Sequence, residues 1–259
     1  MHERLSFFVK RDSPIHRLNP MTKVVLALSL VLIAFSSPWY WTPQAIFLLV
    51  IVPLSFIAGV AKEYWNFFLK VIFPTVIFLF VMQALFLPGE SRIIFEIFGL
   101  EVTELSARLA LRNATRIAVM VSSFTILLLT THPSELMSDL TRRGLPGQFA
   151  YVIIASLQII PQMQAKVQTI IAAQRSRGLD TQSSFFRRVG AIIPLVGPLV
   201  FGSLVEVEER AIAIEARGFT STRAKTSLYE IPDSSLDRAI RWILIVLVIN
   251  SFLLRLWLS

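Results

Sequence analysis

The sequence predicts an all-α integral membrane protein of about five transmembrane helices, with a further region of long helices on its cytoplasmic side. Composition is the first ground: 54% of the 259 residues are hydrophobic and only 16% charged, with a mean hydropathy of +0.66. A soluble domain carries about a quarter charged residues. The placement of charge is the second, since residues 24–61, 71–89 and 117–134 carry none. The third is a change of character between 132 and 237, where charges, glycines and prolines interrupt the apolar runs. The net charge of +8 does not point to nucleic acid, because basic clusters separated by uncharged runs suit loops at an anionic membrane surface.

The spans follow from the need for about 20 apolar residues per helix, the helix being the form that satisfies its own backbone in lipid. Basic residues run to Lys23 with no small-residue cleavage pattern after them, so the first apolar stretch is expected to be retained as a span from Val24 to about Phe35. Ser36, Ser37 and Pro38 then make a turn beside Trp39, Tyr40 and Trp41, an aromatic cluster suited to the membrane interface. The second span covers about Pro43 to Val60, and the third about Tyr64 to Phe86, ending at Pro88-Gly89. A fourth ends at Thr130-Thr131, and the last runs from near Arg238 to Trp257, with Arg255 snorkelling to the interface. The expected organisation is four spans in 1–131, a cytoplasmic domain in 132–234 and a final transmembrane helix in 235–259.

Orientation is read from lysine and arginine. Five lie in the first 23 residues and thirteen between 132 and 241, against none between Ser36 and Pro43 and one, Arg92, between Leu87 and Glu104. The basic side is cytoplasmic, which places the N-terminus and the long basic stretch inside. Arg108, Arg112 and Arg116 recur every four residues near the fourth span. Two readings stay open: an amphipathic helix lying in the interface, or a face turned toward a partner subunit.

In the stretch from 132 to 234, Thr131 or Ser134 can cap a short helix that Arg142-Arg143-Gly144-Leu145-Pro146 closes. Two longer helices follow, from about Gln148 to Arg177 and from about Arg187 to Arg217. Their uncharged runs, Gly144–Ala165 and Val189–Val205, are broken by proline, glycine and glutamine. They read as helices pressed against the membrane face or a neighbour, with a seven-span arrangement as the alternative. The first ends Ser176-Arg177-Gly178-Leu179-Asp180 and the second Ala216-Arg217-Gly218-Phe219-Thr220, spaced 40 residues apart. A glycine that ends a helix and an arginine that suits its dipole explain one such ending. Two copies after similar helices fit a duplicated tip that docks into two copies of one pocket, since a guanidinium fork matches a carboxylate at a groove floor.

The paired Ser176-Arg177-Gly178 and Ala216-Arg217-Gly218 resemble the Ala-Arg-Gly signature of the transmembrane T component of energy-coupling-factor (ECF) transporters, the ABC transporters that include related cobalt, nickel and vitamin systems. The segments Asp12–Lys23 and Thr130–Leu136 resemble that family as well, and Ser176 departs from it only in replacing one small residue by another. The resemblance implies a coupling domain of long crossing helices whose tips, Ser176, Arg177, Gly178, Ala216, Arg217 and Gly218, dock two ABC ATPase subunits. It implies that the apolar faces of the same helices, including Val189–Val205, cradle a substrate-binding S component. ATP-driven closure of the ATPases would then reorient that subunit for uptake of a vitamin or transition-metal ion, in a prokaryotic cell membrane.

No chemistry of the chain's own is expected. The absence of cysteine excludes thiol chemistry, and His2, His16 and His132 have no ligand spacing, so neither metal nor cofactor is expected. There is no glycine-rich phosphate loop, which leaves ATP to partner subunits. Glu206, Glu208 and Glu209 read as a solvated helix face. The alternatives are a permease of an ordinary ABC importer, which normally presents one coupling helix per subunit, and a self-contained secondary transporter, which would show inverted repeats.

Overall fold

Asn19-Pro20 opens the first helix by a simple rule. The Asn19 side chain caps by accepting from the Met21 amide at 2.9 Å, and Pro20 at the first helical position removes a donor that would have had no partner. The computed structural model describes residues 8–9, 11–86, 92–97, 100–178, 185–219, 221 and 232–258. Arg4 and Lys10 of the basic N-terminus, Pro88-Gly89, and Leu179, Asp180 and Thr220 beside the tips lie outside them. The architecture is all-α, with a single short hairpin among the described residues. Its helices are α1 (Pro20–Ser36), α2 (Thr42–Ile57), α3 (Ala61–Phe86), α4 (Glu104–Thr130), α5 (Pro133–Arg142), α6 (Gly147–Ser176), α7 (Phe185–Ala216) and α8 (Ser235–Leu258).

Five apolar helices stand where five spans were expected. Among the described residues three of them, α3, α4 and α8, are long and apolar enough to cross a membrane. The 17-residue α1 reaches only ~25 Å at 1.5 Å per residue, short of a hydrocarbon core of about 30 Å; α2 is of similar length. The outward faces are apolar, with Phe78 on α3 and Trp242, Val246, Phe252 and Trp257 on α8 all exposed, as lipid solvent requires.

Both α2 and α3 widen into a π-turn, at Phe47–Ile51 and Phe68–Ile72. A proline follows each within two residues, Pro53 and Pro74. The proline ring would strike the carbonyl four residues back, and one extra residue in the turn relieves that clash without breaking the helix. These turns press Phe47, Ile51, Phe68 and Ile72 into a core with Val60, Tyr64 and Val119. Tyr64 is fully buried and donates from its hydroxyl to Ser122 Oγ at 2.9 Å, so its polar end is satisfied.

The hairpin was not expected from the sequence. Strands β1 (Ile93–Ile97) and β2 (Leu100–Thr103) pair antiparallel between α3 and α4. The β-branched run Ile93-Ile94 and the pair Val102-Thr103 supply the strand propensity. Thr103 then starts α4 with a capping box. Its hydroxyl accepts from the Ser106 amide at 3.2 Å, and Ser106 Oγ accepts from the Thr103 amide at 3.1 Å and donates to Ala84 O at 3.1 Å. That places Arg108, Arg112 and Arg116 on one continuous helix of 27 residues, not on a separate helix lying in the interface, and corrects the first of their two readings. The cap of α5 is also corrected. His132 Nδ1, rather than Thr131 or Ser134, accepts from the Ser134 amide at 3.2 Å.

By contacts the chain forms two compact units, one built on Gly147–Glu230 and a larger one of Ser6–Pro146 with Ile231–Ser259. The short helix α5 therefore packs in the larger unit, against α1, whereas the sequence reading grouped it with the long helices from residue 132.

Buried polar groups hold the larger unit together where α1, α5 and α8 begin or end. The Asn19 amide donates to Asp237 Oδ1 at 3.1 Å, and its side-chain nitrogen donates to Asp139 Oδ1 at 3.3 Å. Lys23, only 3% exposed, donates from Nζ to the carbonyls of His16 and Thr130 at 3.0 and 2.9 Å. It thereby satisfies the last turn of α4 with a cation, as a helix C-terminus favours. Asp237 in turn caps α8 together with Ser234, each accepting from the other's amide at 3.2 and 3.1 Å.

Candidate functional site

Helices α6 and α7 build the candidate site. Their contacts pair Gln174 with Pro194 (3.5 Å), Lys166 with Glu206 (3.4 Å), Gln162 with Arg210 (2.5 Å) and Tyr151 with Phe219 (ring centroids 5.4 Å apart). As one number rises the other falls, so the helices run antiparallel. Glu206 is the hub, accepting from Lys166 on α6 and from Arg210 on its own helix at 3.0 Å. The Arg210 and Lys166 donors hold its carboxyl below the usual carboxylate range. Gly202 makes room for this pairing, since a Cβ there would stand 3.0 Å from the Lys166 terminus. The expected solvated face is therefore split: Glu208 and Glu209 are exposed, while Glu206 clasps the two helices.

Each helix ends on its predicted glycine. Gly218, at φ 68°, donates to Glu215 O at 2.9 Å, and Phe219 donates to Ile214 O at 3.1 Å, completing a Schellman motif. The Phe219 ring then folds back onto Tyr151 of α6. Gly178, at φ 91°, makes the matching bond to Arg175 O at 2.9 Å. Ser176 donates from its hydroxyl to Ala172 O at 3.1 Å, within its own helix. Ser176, Arg177, Gly178, Ala216, Arg217 and Gly218 are all exposed. Because the helices are antiparallel, the structure does not bring the two tips together. Arg217 lies near the level of Tyr151 and Arg177 at the far end of α6, roughly 40 Å away at 1.5 Å per residue.

A Gly218→Ala replacement puts a Cβ at positive φ and is expected to cost about 1 kcal/mol. Hydrogen exchange at the Gly218 and Phe219 amides, measured in the full chain, should speed up, and unchanged protection would show that the motif does not hold this tip.

A third Arg-Gly ending gives the comparison that separates cap from tip. Arg143-Gly144-Leu145 closes α5 with the same hydrogen bonds, Gly144 to Thr141 O at 3.1 Å and Leu145 to Leu140 O at 3.0 Å, with Gly144 at φ 112°. Here the guanidinium is engaged: Arg143 Nε donates to Asp139 at 2.9 Å and its terminal nitrogen to Asp233 at 3.3 Å. Asp233 also pairs with Arg241 at 2.9 Å, and the Arg241 hydrogen bonds keep its carboxyl below the usual range. Arg143 stands just before the chain leaves the larger unit and Asp233 just after it returns. Among the described residues, Arg177 and Arg217 make no ion pair and no side-chain hydrogen bond. All three helices end in an arginine followed by a positive-φ glycine, and among the described residues only Arg143 of the three arginines forms an ion pair.

Residues 11–228 match the family CbiQ, described as cobalt transport protein. The chain belongs to that family. Its relatives include the energy-coupling factor transporter transmembrane proteins EcfT of Leuconostoc gelidum and Bacillus subtilis. The former is 32% identical, over 97% of this chain and 96% of that protein. The latter is 31% identical, over 96% of each. The chain is thus a transmembrane T component of the ECF type, a membrane protein and a subunit of a transporter complex.

The sequence reading missed the polar cluster of Asn19, Asp139, Asp233, Asp237 and Arg241. Two signals were present: the Asn-Pro start of α1 and the Ser234-x-x-Asp237 spacing of a capping box. Neither tells which distant element the remaining lone pairs will meet.

Proposed function

We propose that this CbiQ-family chain couples two ABC ATPase subunits to a substrate-binding S component, with Arg177 and Arg217 as the two points of ATPase contact. The observation that carries the reading is the contrast among the three Arg-Gly termini. Arg143 is neutralised by Asp139 and Asp233, while Arg177 and Arg217 are exposed and unpaired among the described residues. An exposed guanidinium behind a small residue and a positive-φ glycine is free to enter a groove lined by carboxylates, bidentately and with little steric cost. A separation of about 40 Å suits two separate pockets better than a single one.

The arms also expose Val152, Leu157 and Ile160 on α6 and Val200, Phe201 and Leu204 on α7. Apolar surface of this extent favours a membrane partner, and the S component is the occupant this reading assigns to it. The clasp at Glu206 joins the arms, so a displacement of one tip is passed to the other helix. The basic ends then face the cytoplasm of a prokaryotic cell, ATP is held by the ATPases rather than by this chain, and the transported vitamin or transition-metal ion is chosen by the S component.

Stoichiometry tests the reading. The intact complex, weighed by native mass spectrometry, should contain two ATPase subunits and one S component per copy of this chain. Two copies of this chain per ATPase pair, with no S component, would instead indicate an ordinary importer permease and sink the proposal.

A further inference from the structure

The end of the larger unit opposite Asn19 carries a group of cations that coupling does not use. Arg116 donates from Nε to Ala34 O at 2.9 Å and from a terminal nitrogen to Phe35 O at 3.2 Å. Arg255, arriving on α8, donates to the same Phe35 carbonyl at 3.4 Å. One turn from Arg116 on α4, Arg112 lies over the Tyr40 ring, 4.9 Å from its centroid. Arg116 experiences the charges of both Arg112 and Arg255. Among the described residues none of the three pairs with a carboxylate, whereas Arg108, one turn further along, is neutralised by Glu104. The negative end of the α1 dipole offsets only about half a charge.

We propose that Arg112, Arg116 and Arg255 bind the phosphate of an anionic phospholipid at this membrane interface. Three guanidinium groups provide many more donors than the carbonyls of Ala34 and Phe35 consume. Arg112 Nε is buried and has no hydrogen-bond partner, a condition that costs free energy wherever water is scarce. A phosphate oxygen supplies the missing acceptor and the missing charge together. The depth agrees: Arg116 is 14 residues and Arg112 18 residues from the other end of α4 at Thr130, or about 21 and 27 Å at 1.5 Å per residue. With Thr130 at one edge of a hydrocarbon core of about 30 Å, Arg112 and Arg116 stand about 3 and 9 Å short of the far edge, a gap that long side chains bridge by snorkelling to the headgroups.

The aromatic residues mark the same level, Trp39 and Trp41 being 65% and 75% exposed beside Tyr40. Leu32 and Phe35 on α1 and Phe252 and Leu256 on α8 are exposed next to the cluster and give acyl chains a surface to lie on. A free phosphate lacks that second contact. A zwitterionic headgroup brings a cation toward three others, so the site selects lipid of net negative charge.

The test uses the full chain in neutral detergent, with thermal unfolding followed during addition of dioctanoyl phosphatidylglycerol, dioctanoyl phosphatidylcholine or inorganic phosphate. Phosphatidylglycerol should raise Tm well beyond the other two. Half-saturation for that lipid should move roughly tenfold higher in Arg112→Gln and in Arg255→Gln, the loss of a charge-assisted contact, and stay put in Arg108→Gln. Arg116 is left intact because it also holds the end of α1. Equal shifts from the zwitterionic lipid, a full shift from phosphate alone, or an unchanged phosphatidylglycerol response in Arg112→Gln would each overturn the assignment.

Discussion

Reversing both tips, Arg177→Glu with Arg217→Glu, is expected to abolish co-purification of the ATPases and reduce ATP-driven uptake to background. Each tip places one guanidinium where none of the described residues pairs with it. Under the proposed coupling its partner is a groove carboxylate, so reversal would set two anions face to face. Disrupting a desolvated, hydrogen-bonded charge contact costs about 2–5 kcal/mol, which is roughly 30-fold to several thousand-fold in affinity at one tip. The tips stand at opposite ends of an antiparallel pair, about 40 Å apart, so the two losses should add.

Each single reversal should therefore leave a complex that still holds one ATPase face, and only the double change should release both. The chain itself should remain folded in the membrane, because among the described residues neither arginine side chain makes an ion pair or a hydrogen bond. Full assembly and transport by the double variant would reduce the tips to helix caps and end the coupling proposal. Arg143→Glu is the informative contrast: it carries the same Arg-Gly sequence, but its loss should appear as instability of the chain, not as selective loss of ATPase.

The second large effect is on stability. Asp139→Ala should lower the Tm of the purified chain by an amount equivalent to about 3 kcal/mol, the range for removing one partner of a buried, hydrogen-bonded pair. Asp139 is 2% exposed and accepts from both Asn19 Nδ2 and Arg143 Nε. Its truncation strands the amide of a fully buried asparagine and frees half of the pairing of Arg143. Asp139→Asn keeps the shape and an acceptor for the Asn19 amide, so it should cost clearly less. A Tm within a degree of the native value for Asp139→Ala would show that this cluster does not hold α1 to α5.

Much of this protein is legible in its residue order. The uncharged runs specify where helices meet lipid, because a single charge in the hydrocarbon is costly and its absence over such lengths is not accidental. The glycines at 144, 178 and 218 specify where helices stop, because a positive φ is strained for any residue with a Cβ. The π-turns ahead of Pro53 and Pro74 could have been anticipated from proline's clash with the preceding turn, and the hairpin at 93–103 from its β-branched residues. The latter was obscured by its brevity between two long helices.

What the sequence alone could not decide was which of three like arginines is spent inside the fold. Arg143, Arg177 and Arg217 all precede a glycine and an apolar residue, and a local pattern carries no information about a carboxylate 90 positions away. Only packing brought Asp233 to Arg143. The same holds for Lys23, which counts as one more basic residue in a charge tally yet is buried as the cap of another helix. For Arg112 and Arg116, too, the four-residue spacing showed a shared face but not that Tyr40 and the carbonyls of α1 meet it. Local propensity and hydrophobic pattern act over a few turns of chain, so the sequence determined the membrane helices and their ends. Charge pairing depends on distance in space, so only the tertiary structure determined which cations are left exposed to act.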